Sequence, residues 1–135
     1  MKFTEREMTV AVEAVAVRSF AALPRLVRSR AGAASWDELS RGARYPHLAA
    51  AGELVLPALT DLPERPTVGA TPAFTDEEYE AAVAGVLRSR SPEGTDDGSR
   101  RWRRTVAGAA ALLRIAVEAM PVRQDPDALI VPDHL

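Results

Sequence analysis

The sequence predicts an all-α protein, a four-helix bundle built from two helix hairpins, and three observations support this. Ser or Thr stands three residues before Glu at the start of three apolar segments, the pattern of a helix N-terminus. Apolar residues then recur every three or four positions, as on one face of a helix. Pro and Gly segments separate the helices. The 135 residues, 47% hydrophobic and 27% charged, suit one globular domain.

The first helix is predicted from about residue 5 to residue 23. Thr4 and Glu7 have the spacing of a capping box, in which each side chain bonds the backbone N–H of the other. Pro24 ends or kinks this helix, because proline has no backbone donor. A further helical turn is expected over residues 25–30.

The second helical region is predicted to start at Trp36, after a third capping box that begins at Ser35. Pro46 has no N–H and disfavours the helical conformation of the residue before it. We therefore expect a kink or break near Tyr45, with a second helical segment over residues 47–59.

The third helix is predicted over residues 76–89, behind a capping box formed by Thr75 and Glu78. A polar loop at 91–98 leads to the fourth helix, at about residues 99–120.

The whole chain, residues 1–135, is predicted to be one helical domain. In chain order its parts are a first helix pair at 1–62, a Pro-rich linker at 63–74, a second helix pair at 75–121 and an extended tail at 122–135. The segment that starts at Phe3 resembles the one that starts at Phe74, which suggests an internal duplication.

The composition limits the cellular compartment and the kinds of chemistry that we expect for this protein. The chain has no cysteine, so disulfides, thiolate nucleophiles and cysteine metal sites are excluded. We read no secretion signal at the N-terminus and no apolar run near the roughly 20 residues of a membrane span. We expect a cytoplasmic bacterial protein that does not bind membranes. The net charge of −2 predicts no global attraction to nucleic acid.

The sequence predicts no catalytic, metal or cofactor site, and we expect no enzyme activity. The histidines are His47 and His134, and neither follows a Glu by three residues, as a carboxylate-bridged metal site in a helix bundle requires. No serine lies in a G-x-S-x-G motif, and no G-K-[ST] loop is present.

An arginine-rich segment with one tryptophan provides the candidate contacts for an anion or a nucleic acid. These are Arg88, Arg90, Arg100, Arg101, Trp102, Arg103 and Arg104. Guanidinium groups bind phosphates, and an aromatic ring can stack on bases. Positive charge is unfavourable at a helix N-terminus, so a compensating anion is expected. An external ligand, an acidic protein partner, or internal ion pairs with Asp96, Asp97 and the acids of residues 76–80 could each supply it.

A small-molecule pocket is a further hypothesis, at the expected helix break. A helix break exposes backbone groups that can line a pocket. Tyr45, His47 and Trp102 are its candidate residues.

We favour a non-catalytic protein–protein interaction or scaffold module that acts as a homodimer or binds another protein. The core is rich in Ala and Val, which bury little area each. The wide apolar surfaces of the first and fourth helices exceed what one neighbour can cover, and a second subunit would bury them. A nucleic-acid-binding or regulatory protein and a small-molecule-binding bundle are the alternatives.

Overall fold

The computed structural model describes residues 1–65, 69–90 and 98–123, and over these ranges the chain is helical with no strand. The all-α prediction is therefore confirmed. The helices are α1 (Glu5–Ala21), α2 (Arg25–Arg30), α3 (Arg41–Asp61), α4 (Asp76–Arg90) and α5 (Arg100–Ala119), with one 3₁₀ turn at Trp36–Glu38. The predictions for residues 91–97 and for the tail from residue 124 onward lie outside the described residues.

Two of the predicted capping boxes form as the sequence indicates. At the start of α1, the Thr4 hydroxyl accepts from the Glu7 N–H at 3.1 Å, and the Glu7 carboxylate accepts from the Thr4 N–H at 2.9 Å. Thr75 and Glu78 make the same pair of bonds before α4, at 3.2 and 2.8 Å. A side-chain cap stabilises a helix by about 1 kcal/mol.

The third predicted capping box, at Ser35, is wrong. The Ser35 side chain makes no capping hydrogen bond, and the Glu38 carboxylate accepts from the Ala34 N–H at 2.7 Å instead. The chain makes only a 3₁₀ turn there. The helix begins five residues later than predicted, at Arg41, where the Ser40 hydroxyl accepts a bond from the third residue of α3.

The predicted break near Tyr45 is also wrong, because α3 continues through Pro46 and Pro57. Pro46 lies in the second turn of α3. Its missing N–H leaves the Gly42 carbonyl without its helical partner, and Gly42 is exposed, so water can replace that bond. A kink at Pro46 stays a prediction.

The helices α1 and α3 pack in opposite directions. The amino group of Met1, just before α1, donates to the Thr60 carbonyl near the end of α3 at 2.9 Å. At the other end, the Phe20 ring lies 5.1 Å from the His47 ring. Antiparallel packing of helices that are close in sequence is what a short connection favours.

The helices α4 and α5 also pack in opposite directions. Arg88 near the end of α4 lies over Trp102 near the start of α5, and Arg114 in the second half of α5 binds Asp76 at the start of α4. In addition, α1 packs against α5 and α3 packs against α4. Each of the four long helices therefore has at least two long neighbours, and α3 also contacts α5.

The core consists mainly of small aliphatic side chains. The largest side chains that are fully buried are Phe20, Leu59, Leu113, Val15, Val55, Val83 and Val117. Alanines such as Ala11 and Ala58 are buried among them. This composition agrees with the Ala- and Val-rich core that the sequence indicates.

The described parts of the linker are not helical, as predicted. Backbone bonds connect the linker to the residues after α5. The Gly69 N–H donates to the Arg123 carbonyl at 2.7 Å, and the Arg123 N–H donates to the Ala70 carbonyl at 3.3 Å. The Arg123 guanidinium also binds Glu7 at 3.1 Å, which ties the start of α1 to the same place.

Candidate functional surfaces

The first candidate surface is the arginine cluster, which we define as Arg88, Arg90, Arg100, Arg101, Arg103 and Arg104 around Trp102. Four of these arginines lie in the first turns of α5, directly after its N-cap, and all four are exposed. The cap is Ser99, whose hydroxyl accepts from the Trp102 N–H at 2.9 Å. The described first turn of α5 contains no acidic residue.

The end of α4 brings its own arginines beside this turn. The Arg88 guanidinium lies 5.5 Å from the centre of the Trp102 ring. Arg90 is turned toward α3 and donates to the Glu53 carbonyl. The structure thus places Arg88 against the α5 group, while Arg90 connects the end of α4 to α3.

The Trp102 side chain packs against its neighbours and does not project from the surface. Its side chain is half-buried against the core, and Arg88 covers its ring. The base-stacking role considered for this ring therefore lacks a free ring face on the Arg88 side.

The acids of residues 76–80 form no described ion pair with the arginines at the start of α5, although one hypothesis from the sequence expected such pairs. Asp76 binds Arg114, and Glu78 binds Arg65 at 2.6 Å. Arg114 is ten residues beyond Arg104 on α5, about 15 Å along the helix axis. Asp96 and Asp97, the other expected partners, lie outside the described residues.

The three residues of the hypothetical pocket have different surroundings. The Tyr45 side chain is 70% exposed. The His47 ring packs against Phe20 at 5.1 Å and Trp36 at 6.1 Å. Trp102 lies beneath Arg88. A small-molecule site shared by Tyr45, His47 and Trp102 stays a prediction.

The aromatic group around His47 was missed by sequence reasoning, which assigned Trp36 to a helix start. Phe20 and Trp36 meet edge to face at 6.1 Å, and Arg44 lies 5.4 Å above the Trp36 ring. Within the described residues, the buried Trp36 Nε1 and Arg28 Nε have no hydrogen-bond partner.

The second candidate surface is the outer face of α3, which the sequence did not single out. The exposed residues of α3 are Arg41, Gly42, Tyr45, Pro46, Ala49, Ala50, Glu53, Leu56, Pro57, Thr60 and Asp61. Arg41 and Asp61 are the first and last residues of the helix, and between them Glu53 is the one exposed charged side chain. Tyr45 and Leu56 are large, and they are 70% and 39% exposed.

The sequence predicted excess apolar surface on the first and fourth helices, which are α1 and α5 in the structure. The large exposed apolar side chains lie elsewhere. The exposed positions of α1 include Glu5, Arg6, Thr9 and Glu13. Those of α5 begin with arginines and continue mainly with small residues. Among the described helices, α3 is the long helix that exposes large apolar side chains. This corrects the location of the surface, and leaves self-association itself as a proposal.

Over the described ranges, His, Asp and Glu side chains form no group of three or more that could hold a metal ion. None of the described helices is both long and apolar enough to cross a membrane. No protein-family model, curated protein sequence or solved structure matches this chain.

Proposed function

We propose that this protein is a non-catalytic interaction module that acts as a homodimer, and that two copies meet through the outer face of α3. One observation carries the proposal. About half of α3 faces outward, yet between its end residues Arg41 and Asp61 that face has a single exposed charge and two large exposed apolar side chains. A helix with one face in water normally has charged and polar residues there, whereas a helix that is apolar on all sides is normally covered.

The layout of the face is self-complementary. Tyr45 and Leu56 lie three helical turns apart along it, with Ala49 between them. In an antiparallel pair related by a two-fold axis midway between Tyr45 and Leu56, one to two residues beyond Ala49, each Tyr45 packs on Leu56 of the second copy. The small Ala49 side chain lets the two backbones approach closely at the crossing point.

Glu53, the charge in the middle of the face, has a cation nearby. Arg90 donates to the backbone carbonyl of Glu53. Its positive charge therefore lies close to the α3 backbone at Glu53, where it would offset part of the repulsion between the Glu53 carboxylates of two copies.

The same proposal includes the finer architecture. A four-helix bundle made of two hairpins is supported by the antiparallel contacts of α1 with α3 and of α4 with α5. Internal duplication would account for the capping boxes at Thr4 and Thr75 that open the two hairpins.

Sedimentation velocity at micromolar concentration tests the proposal. We expect the wild-type protein to sediment as a dimer. Tyr45→Glu and Leu56→Glu each place a charge at an apolar contact, so both variants should be monomers. Ala111→Glu is the control, because it adds the same charge at an exposed position of α5.

A monomeric wild-type protein would contradict the proposal. So would a dimer that Ala111→Glu disrupts as strongly as Tyr45→Glu, because the contact would then not be specific to α3. Circular dichroism of each variant shows whether the helices remain folded.

A further inference from the structure

We propose that the arginine cluster binds the phosphate backbone of duplex nucleic acid without sequence preference. This inference concerns α5 and does not depend on dimerisation through α3. It rests on three observations: the charge at the start of α5, the chemistry of the surface around it, and the position of Trp102.

The charge at the start of α5 lacks compensation among the described carboxylates. Arg100, Arg101, Arg103 and Arg104 make no ion pair with a described acid, and the described ion pairs instead use Arg65, Arg114 and Arg123. The N-terminal end of a helix already has partial positive charge. Four exposed arginines there destabilise the helix unless an anion binds.

The two helices that contain these arginines, α4 and α5, expose no large apolar side chain. Within the described ranges, such side chains are Leu26, Val27, Tyr45, Leu56 and Val122, and none lies on α4 or α5. Protein interfaces have an apolar centre within a polar rim. Peripheral membrane helices insert apolar side chains below the headgroups. Phosphate backbones need neither, and the protein surfaces that bind them are rich in positive charge.

The position of Trp102 indicates backbone recognition of a duplex. Binding to single strands relies on aromatic side chains on which bases stack. Trp102 is the aromatic residue of the cluster, and it is half-buried with Arg88 over its ring. Contacts to phosphates alone fix a protein on a duplex but do not read its sequence.

Fluorescence anisotropy with a labelled duplex of arbitrary sequence, over a series of NaCl concentrations, tests this inference. If the four α5 arginines each contact a phosphate, the logarithm of the binding constant should fall against the logarithm of salt concentration with a slope of about −3.6. A duplex of different sequence should bind equally, and a single strand of the same length more weakly.

The variants are matched by position. The double variant Arg101→Ala/Arg104→Ala should bind more weakly at low salt and reduce the steepness of the slope by about 1.8. Arg6→Ala is the control, since Arg6 is an exposed arginine in the first turn of α1, as Arg101 is in α5. The control should leave both the affinity and the slope unchanged.

Several results would overturn the inference. These are absent or salt-independent binding of the duplex, an equal loss on Arg6→Ala, or tighter binding of the single strand. Tighter binding of polyglutamate or of phosphatidylglycerol vesicles than of the duplex would assign the cluster to an acidic protein or to a membrane instead. The helical signal of the double variant should equal that of wild type, since Ala is favourable in a helix.

Discussion

Glu78 shows how one carboxylate ties the linker to a helix. It accepts from the Thr75 N–H at 2.8 Å, which caps α4, and it binds the Arg65 guanidinium from the start of the linker at 2.6 Å. The Thr75 backbone N–H is the main cause that holds the pKa of Glu78 below its usual 4.5, and Arg65 lowers it further. The charged form of Glu78 is therefore the one that the folded state stabilises.

The lowered pKa predicts a dependence of stability on pH. The contribution of Glu78 is fully present above its usual pKa of 4.5 and is lost as the pH falls through the lower folded value. Chemical denaturation at a series of acidic pH values measures this. Glu78→Gln should reduce stability at neutral pH and flatten the loss of stability below pH 4.5.

Glu77→Gln is the matched control, because it removes a carboxylate from the same turn of α4 at an exposed position. We expect it to leave the acid-induced loss almost unchanged. If the two variants lost stability in parallel with each other as the pH fell, Glu78 would not have the role described here.

At the scale of single elements, α3 is notable for containing proline in its interior. An interior proline costs about 3 kcal/mol relative to alanine, because it removes a hydrogen bond and crowds the preceding turn. Packing against α1 and α4 offsets this cost. The helix therefore depends on tertiary contacts more than a proline-free helix would.

Pro46→Ala should stabilise the protein, by up to about 3 kcal/mol, because the N–H of Ala can bond the Gly42 carbonyl. Urea denaturation measures the gain. Pro24→Ala is the control, because Pro24 precedes the first turn of α2 and interrupts no helix there. A loss of stability in Pro46→Ala would instead show that a bend at Pro46 is needed for packing.

The helix starts show which parts of the fold the sequence can predict. Thr4 and Thr75 cap α1 and α4 through bonds that span three residues, so the local pattern is sufficient. Ser35 has the same pattern, but the carboxylate of Glu38 bonds Ala34 instead. The helix start at Ser40 has no acid three residues later, so its sequence pattern indicates a helix start less strongly.

The candidate surfaces were also predictable to different degrees, because local sequence determines some of their features and helix packing determines others. The arginines of α5 are adjacent in sequence, so their clustering follows from the helix alone. The pairing of Asp76 with Arg114 depends on how α4 and α5 pack, and the sequence therefore left the compensating charge undecided. The outer face of α3 was not predicted, because Pro46 indicated a break in the helix and the sequence therefore did not suggest one continuous face.

At the scale of the whole molecule, the two candidate surfaces lie on different helices. The described ion pairs hold the start of α1, the linker and the α4–α5 packing together, and they lie away from the start of α5. The proposed dimer contact is on α3, and the proposed phosphate contact is on α5. A dimer would therefore present two arginine clusters, and binding of both to one duplex would raise the apparent affinity.

The absence of cysteine from the chain allows a direct test of the dimer contact, because an introduced cysteine is unique. Ala49→Cys places a thiol close to the proposed two-fold axis, and Ala107→Cys places one on the exposed face of α5. Under mild oxidation, followed by non-reducing electrophoresis, we predict a disulfide-linked dimer of Ala49→Cys and little of Ala107→Cys. Equal cross-linking of the two variants, or none of Ala49→Cys, would contradict association through α3.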